Sequence, residues 1–144
     1  MRAGTDFIGV GVVYFCHDGK GSVFMSKRGQ NARDERGRWD IGGGAMDFGS
    51  SVEETLRREI KEEYASDIKE IEYLGYRDVH REHEGKPTHW IVLDFKVLID
   101  HTQAKNNEPH KFDDAQWFKL SELPNPVHSQ LPIFIKKYEE KLRK

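Results

Sequence analysis

The sequence predicts the α/β class, with one mixed β-sheet held between helices in an α/β/α sandwich. Three observations predict it. Apolar, β-branched runs alternate with helical patterns in the order strands, helix, strands, helix. Not all of the connections are strand–helix–strand crossovers, which argues against a purely parallel sheet. The 144 residues contain no repeat, low-complexity tract or linker, so a single domain over 1–144 is expected.

Composition supports a folded chain and excludes several functions. The 36% hydrophobic content is modest, but many of the 8 Phe, 5 Tyr and 3 Trp lie within strand patterns, unlike a disordered sequence. A net charge of −2 leaves no electrostatic footprint for non-specific nucleic-acid binding. The basic end (Lys136, Lys137, Lys141, Arg143, Lys144) reads as a solvated helix face. Cys16 is the one cysteine, so no intrachain disulfide forms, which fits a cytoplasmic protein. The N-terminus lacks the apolar core of a signal peptide. No apolar run is long enough to span a bilayer.

Phe7 to Phe15 is apolar throughout and reads as a strand buried on both faces, with Gly9 and Gly11 permitting close approach. Asp18-Gly19 signals a hairpin turn into a return strand over Val23–Lys27. Lys27 to Arg38 is a long polar loop of the kind that is often functional. Trp39-Asp40-Ile41 enters a glycine-rich turn, Gly42-Gly43-Gly44. A helix follows from Ser50 or Ser51 to between Tyr64 and Ser66. Either serine can cap it, and Ser51-x-x-Glu54 has the form of a capping box. Ile71–Val79 is a strand, His80–Pro87 a charged connection and Thr88–Ile99 the strongest later strand. Asp100–Asp114 is a second polar loop, Gln116–Leu120 a short strand and Ser121–Pro124 a turn. The last helix spans Gln130–Lys141, with Pro132 in its first turn and Leu131, Phe134, Ile135, Tyr138 and Leu142 on its apolar face.

The first helix breaks a local rule. Glu59, Glu62 and Glu63 crowd its last two turns, where the helix dipole favours cations. At i, i+3 and i+4 they share one face and repel one another. Val52, Leu56 and Ile60 form the stripe that should pack on the sheet, which puts the glutamates at the boundary of core and solvent. Partial desolvation there raises the cost of ionising all three. A divalent cation removes the conflict, and hard oxygen ligands select Mg²⁺ or Mn²⁺. The bland alternative is a salt-laced helix, for which Glu53–Arg57 and Glu54–Arg58 provide ordinary pairs. The glycines weigh against it. Three in a row imply a sharp turn or close approach to a ligand, and a turn carbonyl there can face the same cation. Arg58 can pair with Glu54 or Glu62.

This stretch resembles the Nudix box: Gly, five residues, Glu, seven residues, then Arg-Glu-aliphatic-x-Glu-Glu-x-Gly-aliphatic. The match runs from Gly44 to Arg58-Glu59-Ile60-Lys61-Glu62-Glu63 at the family spacing. Ser50 stands where the first glutamate belongs, Ala65 replaces the glycine and Ser66 the last aliphatic residue. The flanks agree. Gly37-x-Trp39-x-Ile41-Gly42-Gly43-Gly44 resembles the family's approach to the box. Glu108-Pro109-His110-Lys111, Trp117-Phe118-x-Leu120 and Glu122-Leu123-Pro124 resemble a later part of MutT-like Nudix hydrolases. The resemblance spans Phe7 to Pro124 and implies the Nudix α/β/α sandwich.

It also implies metal-dependent hydrolysis of a diphosphate linkage in a nucleoside diphosphate derivative, by water attack on phosphorus. A nucleoside triphosphate, cut to monophosphate and pyrophosphate, is the substrate first expected. A nucleotide sugar, a dinucleoside polyphosphate or a capped RNA end would use the same chemistry. Carried over, Glu59, Glu62 and Glu63 hold Mg²⁺ or Mn²⁺, joined by the Gly43 carbonyl, and Arg58 orients the glutamates. Glu108, with Asp113 as second choice, supplies a further carboxylate as base or ligand; either can equally be a solvated loop acid. Ser50 cannot ionise and can serve simply as the helix cap. Ala65 can be accommodated if the chain leaves the helix without a left-handed cap. Because of Ser50, a non-catalytic nucleotide sensor is the competing reading.

Other residues carry weaker signals. Lys27, Arg28, Arg33, Arg36 and Arg38 can grip phosphates, or be an ordinary solvated loop. His80-x-x-His83 lacks a Cys or third histidine at ligand spacing, which speaks against zinc. Phe7, Tyr14, Trp39, Tyr76 and Trp90 can stack on a base, although their strand context favours the core. The implied partners are a small nucleotide, no membrane, and at most a second copy of the chain in a homodimer.

Overall fold

The computed structural model describes residues 1–144. Seven strands and three helices run in the order β1 (Gly9–His17), β2 (Ser22–Arg28), β3 (Trp39–Asp40), β4 (Gly42–Ala45), α1 (Val52–Tyr64), β5 (Ile68–His83), β6 (Lys86–Ile99), β7 (Phe112–Lys119), α2 (Leu131–Lys137) and α3 (Glu139–Leu142). A 3₁₀ turn covers Leu120–Glu122.

The sheet is mixed, as its connections predict. Its path is β3-β2-β1-β6-β5, with β4 pairing β1 and β7 pairing β2. β1 and β6 are parallel from Gly9↔Trp90 to His17↔Leu98. On its other side β1 pairs with β4 over Gly11–Tyr14. The expected hairpin partner β2 therefore meets β1 at one registered pair, His17↔Val23. β4 has taken the edge that β2 would fill, and β2 pairs instead with β7 along most of its length.

Side-chain alternation splits the core between the two faces. Val12, Tyr14 and Cys16 of β1 join Phe95, Val97 and Ile99 of β6 under Leu56, Ile60 and Tyr64 of α1. Phe15, Val23, Met25 and Leu74 join Leu131, Phe134, Tyr138 and Leu142 on the opposite face. Each large apolar side chain buried here contributes about 1.5–3 kcal/mol. The predicted sandwich is thus present. No helix is long and apolar enough to cross a membrane.

Several predicted boundaries shift. β1 begins at Gly9, and Phe7 and Ile8 lie about half exposed ahead of it. Gly9 is required by close approach, as a Cβ there would fall 2.6 Å from the Trp90 ring. The charged connection His80–Pro87 is a hairpin instead. β5 and β6 stay paired to His83↔Lys86. Glu84 and Gly85 make the turn with φ of 52° and 78°. Its charges hide the strands because this stretch projects beyond the core, where alternation has no apolar face to mark. β7 starts at Phe112, so the second polar loop is shorter than expected. The last helix breaks at Tyr138 (φ −113°), whose hydroxyl donates to the buried Asp94 carboxylate at 2.6 Å.

Candidate active site

Serine 51 caps α1. Its side chain accepts from the Glu54 N–H at 3.1 Å, and the Glu54 carboxylate accepts from the Ser51 N–H at 3.2 Å. This completes the capping box and leaves Ser50 without the capping role. At the other end Ala65 does adopt a left-handed cap (φ 59°, ψ 22°). The Ala65 N–H donates to Lys61 O, and the loop after β6 satisfies further carbonyls. Lys105 N–H donates to Tyr64 O, Asn107 N–H to Glu63 O, and Asn107 Nδ2 to Glu62 O, at 3.0–3.1 Å. Docking onto the helix end is what carries Glu108 and Lys111 to the acidic cluster.

The glycine run does not turn sharply; it is the extended strand β4. Its glycines serve close approach. A Cβ on Gly42 would fall 2.0 Å from the Tyr14 ring, and one on Gly44 would fall 2.5 Å from Cδ of Glu59. Gly44 thereby lets the half-buried Glu59 carboxylate lie against the strand. Arg58 pairs with Asp47 (3.3 Å) and with Glu59 (3.5 Å), rather than with Glu54 or Glu62. Glu62 is exposed beside them.

Glu63 is buried. One oxygen accepts from the Tyr14 hydroxyl and the other from Lys111 Nζ at 3.0 Å. Lys111 also approaches Glu108 at 3.8 Å. Burial pushes the Glu63 carboxyl up to about 7, despite Lys111 and Tyr14. Burial also raises Glu59, and the Glu62 charge adds to it. Burial works to lower the Lys111 pKa, but Glu63 and Glu108 outweigh it and the ammonium is held more tightly. Lys111 is thus the counter-charge of Glu63, as Arg58 is of Glu59.

Beside the cluster a cleft of about 470 Å³ opens over the face of the sheet that carries α2. Gly43, Gly44, Asp40, Glu63 and Lys111 line one end. Arg77, Val79 and Arg81 of β5 with Trp90 of β6 form its wall. Arg28 at the end of β2 and Arg33 in the polar loop that follows also line it. Glu35 holds that loop in place, accepting from Arg81 (2.7 Å), Ser129 N–H (2.9 Å) and Ser129 Oγ (2.5 Å). A carboxylate helix, an adjoining glycine strand and a basic cleft suit a charged phosphate ester.

Comparison with known proteins decides the family. A family model described as NUDIX domain matches residues 7–138. The chain belongs to the NUDIX family. It is accordingly a Nudix-type hydrolase of nucleotide diphosphate linkages. Nucleoside triphosphatase NudI of Escherichia coli O139:H28 is 27% identical over 124 residues, which cover 81% of this chain and 84% of that one. The crystal structure of a MutT NUDIX hydrolase from Burkholderia pseudomallei superposes with a TM-score of 0.79 at 24% identity, covering 92% of this chain and 98% of that one. The NUDIX domain of Shewanella oneidensis NrtR, in a complex with ADP ribose, gives 0.71 at 20% identity, covering 99% of this chain and 90% of that one.

Within the Nudix box of this chain Gly44 and Arg58 meet Glu59, Glu62 is exposed, and Glu63 is buried against Tyr14 and Lys111, which also approaches Glu108. Asp113 lies elsewhere, beside Gly29. Arg28 lines the cleft but spends two donors on Asp34, at 2.9 and 3.0 Å. Lys27 and Arg38 do not line it; Arg38 instead donates to Val127 O at 3.2 Å. Of the five candidate stacking aromatics, Trp90 alone lines the cleft; Tyr14 and Trp39 are core residues. Sequence reasoning assigned no role to Lys111, Asp40, Arg77 or Asp94. Asp94 carried a signal, as an acid inside the apolar run Thr88–Ile99. It accepts two bonds from Arg77, at 2.7 and 2.9 Å. Burial raises Asp40 to about 7.

Proposed function

We propose that the chain hydrolyses a nucleoside triphosphate to the monophosphate and pyrophosphate, by water attack on phosphorus. The observation that carries this reading is the acidic cluster itself. Glu59, Glu62 and Glu63 follow one another on the last turns of α1, and Glu63, paired with Lys111, lies at one end of a basic cleft. The donor set fits a divalent cation: all oxygen, anionic, partly desolvated, and already compensated by an ammonium that an ion can replace. Glu59, Glu62, Glu63 and the Gly43 carbonyl would hold Mg²⁺ or Mn²⁺. Bound there, the ion would neutralise charge on the diphosphate oxygens.

The side chains do the rest. Arg58 holds the Glu59 carboxylate in orientation from the solvent side, and Gly44 leaves room for it. Tyr14 fixes one oxygen of Glu63 and leaves the other for the ligand now represented by Lys111. Glu108 accepts the proton of the attacking water, since Lys111 draws it towards the cluster. Arg28 and Arg33 bind the phosphate tail. The relatives support a nucleotide: NudI is named as a nucleoside triphosphatase.

The competing sensor reading rests on Ser50, which is neither a carboxylate nor the helix cap. Turnover of a nucleotide panel with Mg²⁺ or Mn²⁺ separates the two. The hydrolase reading expects phosphate products, reduced roughly a hundredfold or more in Glu62→Gln. Activity that survives this substitution sinks the ligand assignment. Tight metal-dependent binding of one nucleotide with no turnover of any favours the sensor.

A further inference from the structure

The β5–β6 hairpin carries a second cluster of ligating side chains, on the face opposite the cleft. His80 and His89 stand directly across the two strands from each other. Asp78 lies two residues before His80 and so shares its face. One ligand atom from each of Asp78, His80 and His89 lies within 4.8 Å of the other two. His89 Nε2 is 2.9 Å from Asp78 Oδ1, and the imidazole centroids are 4.1 Å apart. His83 is an odd-numbered neighbour of the cleft wall and does not belong to the group, so His80-x-x-His83 is not the relevant pair.

We infer that Asp78, His80 and His89 form a surface site for a borderline transition-metal ion, Zn²⁺ above all, separate from the carboxylate cluster. Two imidazoles and one carboxylate favour zinc over magnesium. Zinc bonds of about 2.0–2.1 Å place tetrahedral ligands roughly 3.3 Å apart. The Asp78–His89 pair is already close to that spacing, and His80, being exposed, can swing in by rotation of its own side chain. The His89 backbone is pinned from the other side, its N–H donating to Gly4 O at 2.8 Å. Three protein ligands leave a fourth position to water. An ion there clamps together the two strands whose other face supplies Arg77, Val79, Arg81 and Trp90 to the cleft.

Zinc titration of the whole chain against a chromophoric chelator, in excess Mg²⁺ to occupy the acidic helix, tests this. One equivalent is expected in the unaltered protein. A loss of roughly tenfold or more is expected in His89→Gln and in His80→Asn. Both variants keep a polar side chain of similar size on an exposed strand, and metal-free melting checks that they fold. Glu62→Gln should bind as the unaltered chain does. Zinc should raise the melting temperature of Glu62→Gln but not of His89→Gln. Unchanged affinity in both histidine variants, or a loss confined to Glu62→Gln, overturns the site.

Discussion

Gly44 shows how a single residue sets the chemistry. Its lack of a side chain is what lets Glu59 leave the helix and rest against the neighbouring strand, where Arg58 can reach it. A methyl group there would occupy the carboxylate's own place. Gly44→Ala should therefore lower nucleotide hydrolysis roughly 10- to 100-fold, the scale of a 1 Å misplacement. Steady-state kinetics with circular dichroism checks it; a loss of fold would show that the glycine serves the sheet instead. Ser50 is instructive for the opposite reason. It is excused neither by capping, which Ser51 does, nor by ionisation. Nothing in the structure explains the serine.

Helix α1 is stabilised at its N-terminus and strained at its C-terminus. The capping box is complete, whereas Ala65 holds a left-handed conformation that glycine adopts without steric cost. For an L-residue that conformation costs about 1–2 kcal/mol, part of which glycine loses again in chain entropy. Ala65→Gly should stabilise the protein by about 0.5–1 kcal/mol, read as a higher urea midpoint at unchanged slope. An unchanged or lower midpoint would place the compensation in the docked loop. That loop is the second element of the helix end: Lys105 and Asn107 satisfy its carbonyls, and Lys111 pairs with Glu63.

Across the molecule, the site lies where several elements meet, and its charges are held partly out of water. Burial raises Asp40 to about 7 and Glu63 likewise. An aspartate raised from an unfolded value of about 3.9 binds its proton more tightly in the folded state. The stability this gives is present below pH 4 and is lost as pH rises through 7. Asp40→Asn should thus remove part of the decline between pH 4 and 8, on the order of 4 kcal/mol. Urea unfolding in metal-free buffer measures it. An unchanged pH profile would mean that the Asp40 carboxyl is ionised and paired with Arg28. Because Glu63 titrates in the same range, some decline should remain in the variant.

The class of fold, the acidic helix with its cap, and the spacing that marks the family were all legible in the sequence. Each rests on local periodicity or on a fixed offset along one element, which the chain carries without knowing its neighbours. The hairpin past His80 was hidden, since charged strands outside the core show no apolar alternation. The role of the glycines was misread, because close approach of Tyr14 and Glu59 depends on which strand β4 joins. Lys111, Asp40, the Arg77–Asp94 pair and the Asp78–His80–His89 group were likewise beyond reach. Asp78–His89, Arg77–Asp94 and Glu63–Lys111 are 11, 17 and 48 residues apart along the chain, and only the folded sheet brings them together. Sequence by itself determined which residues could carry the charge; tertiary structure decided what each of them faces, because desolvation and pairing are properties of the surroundings.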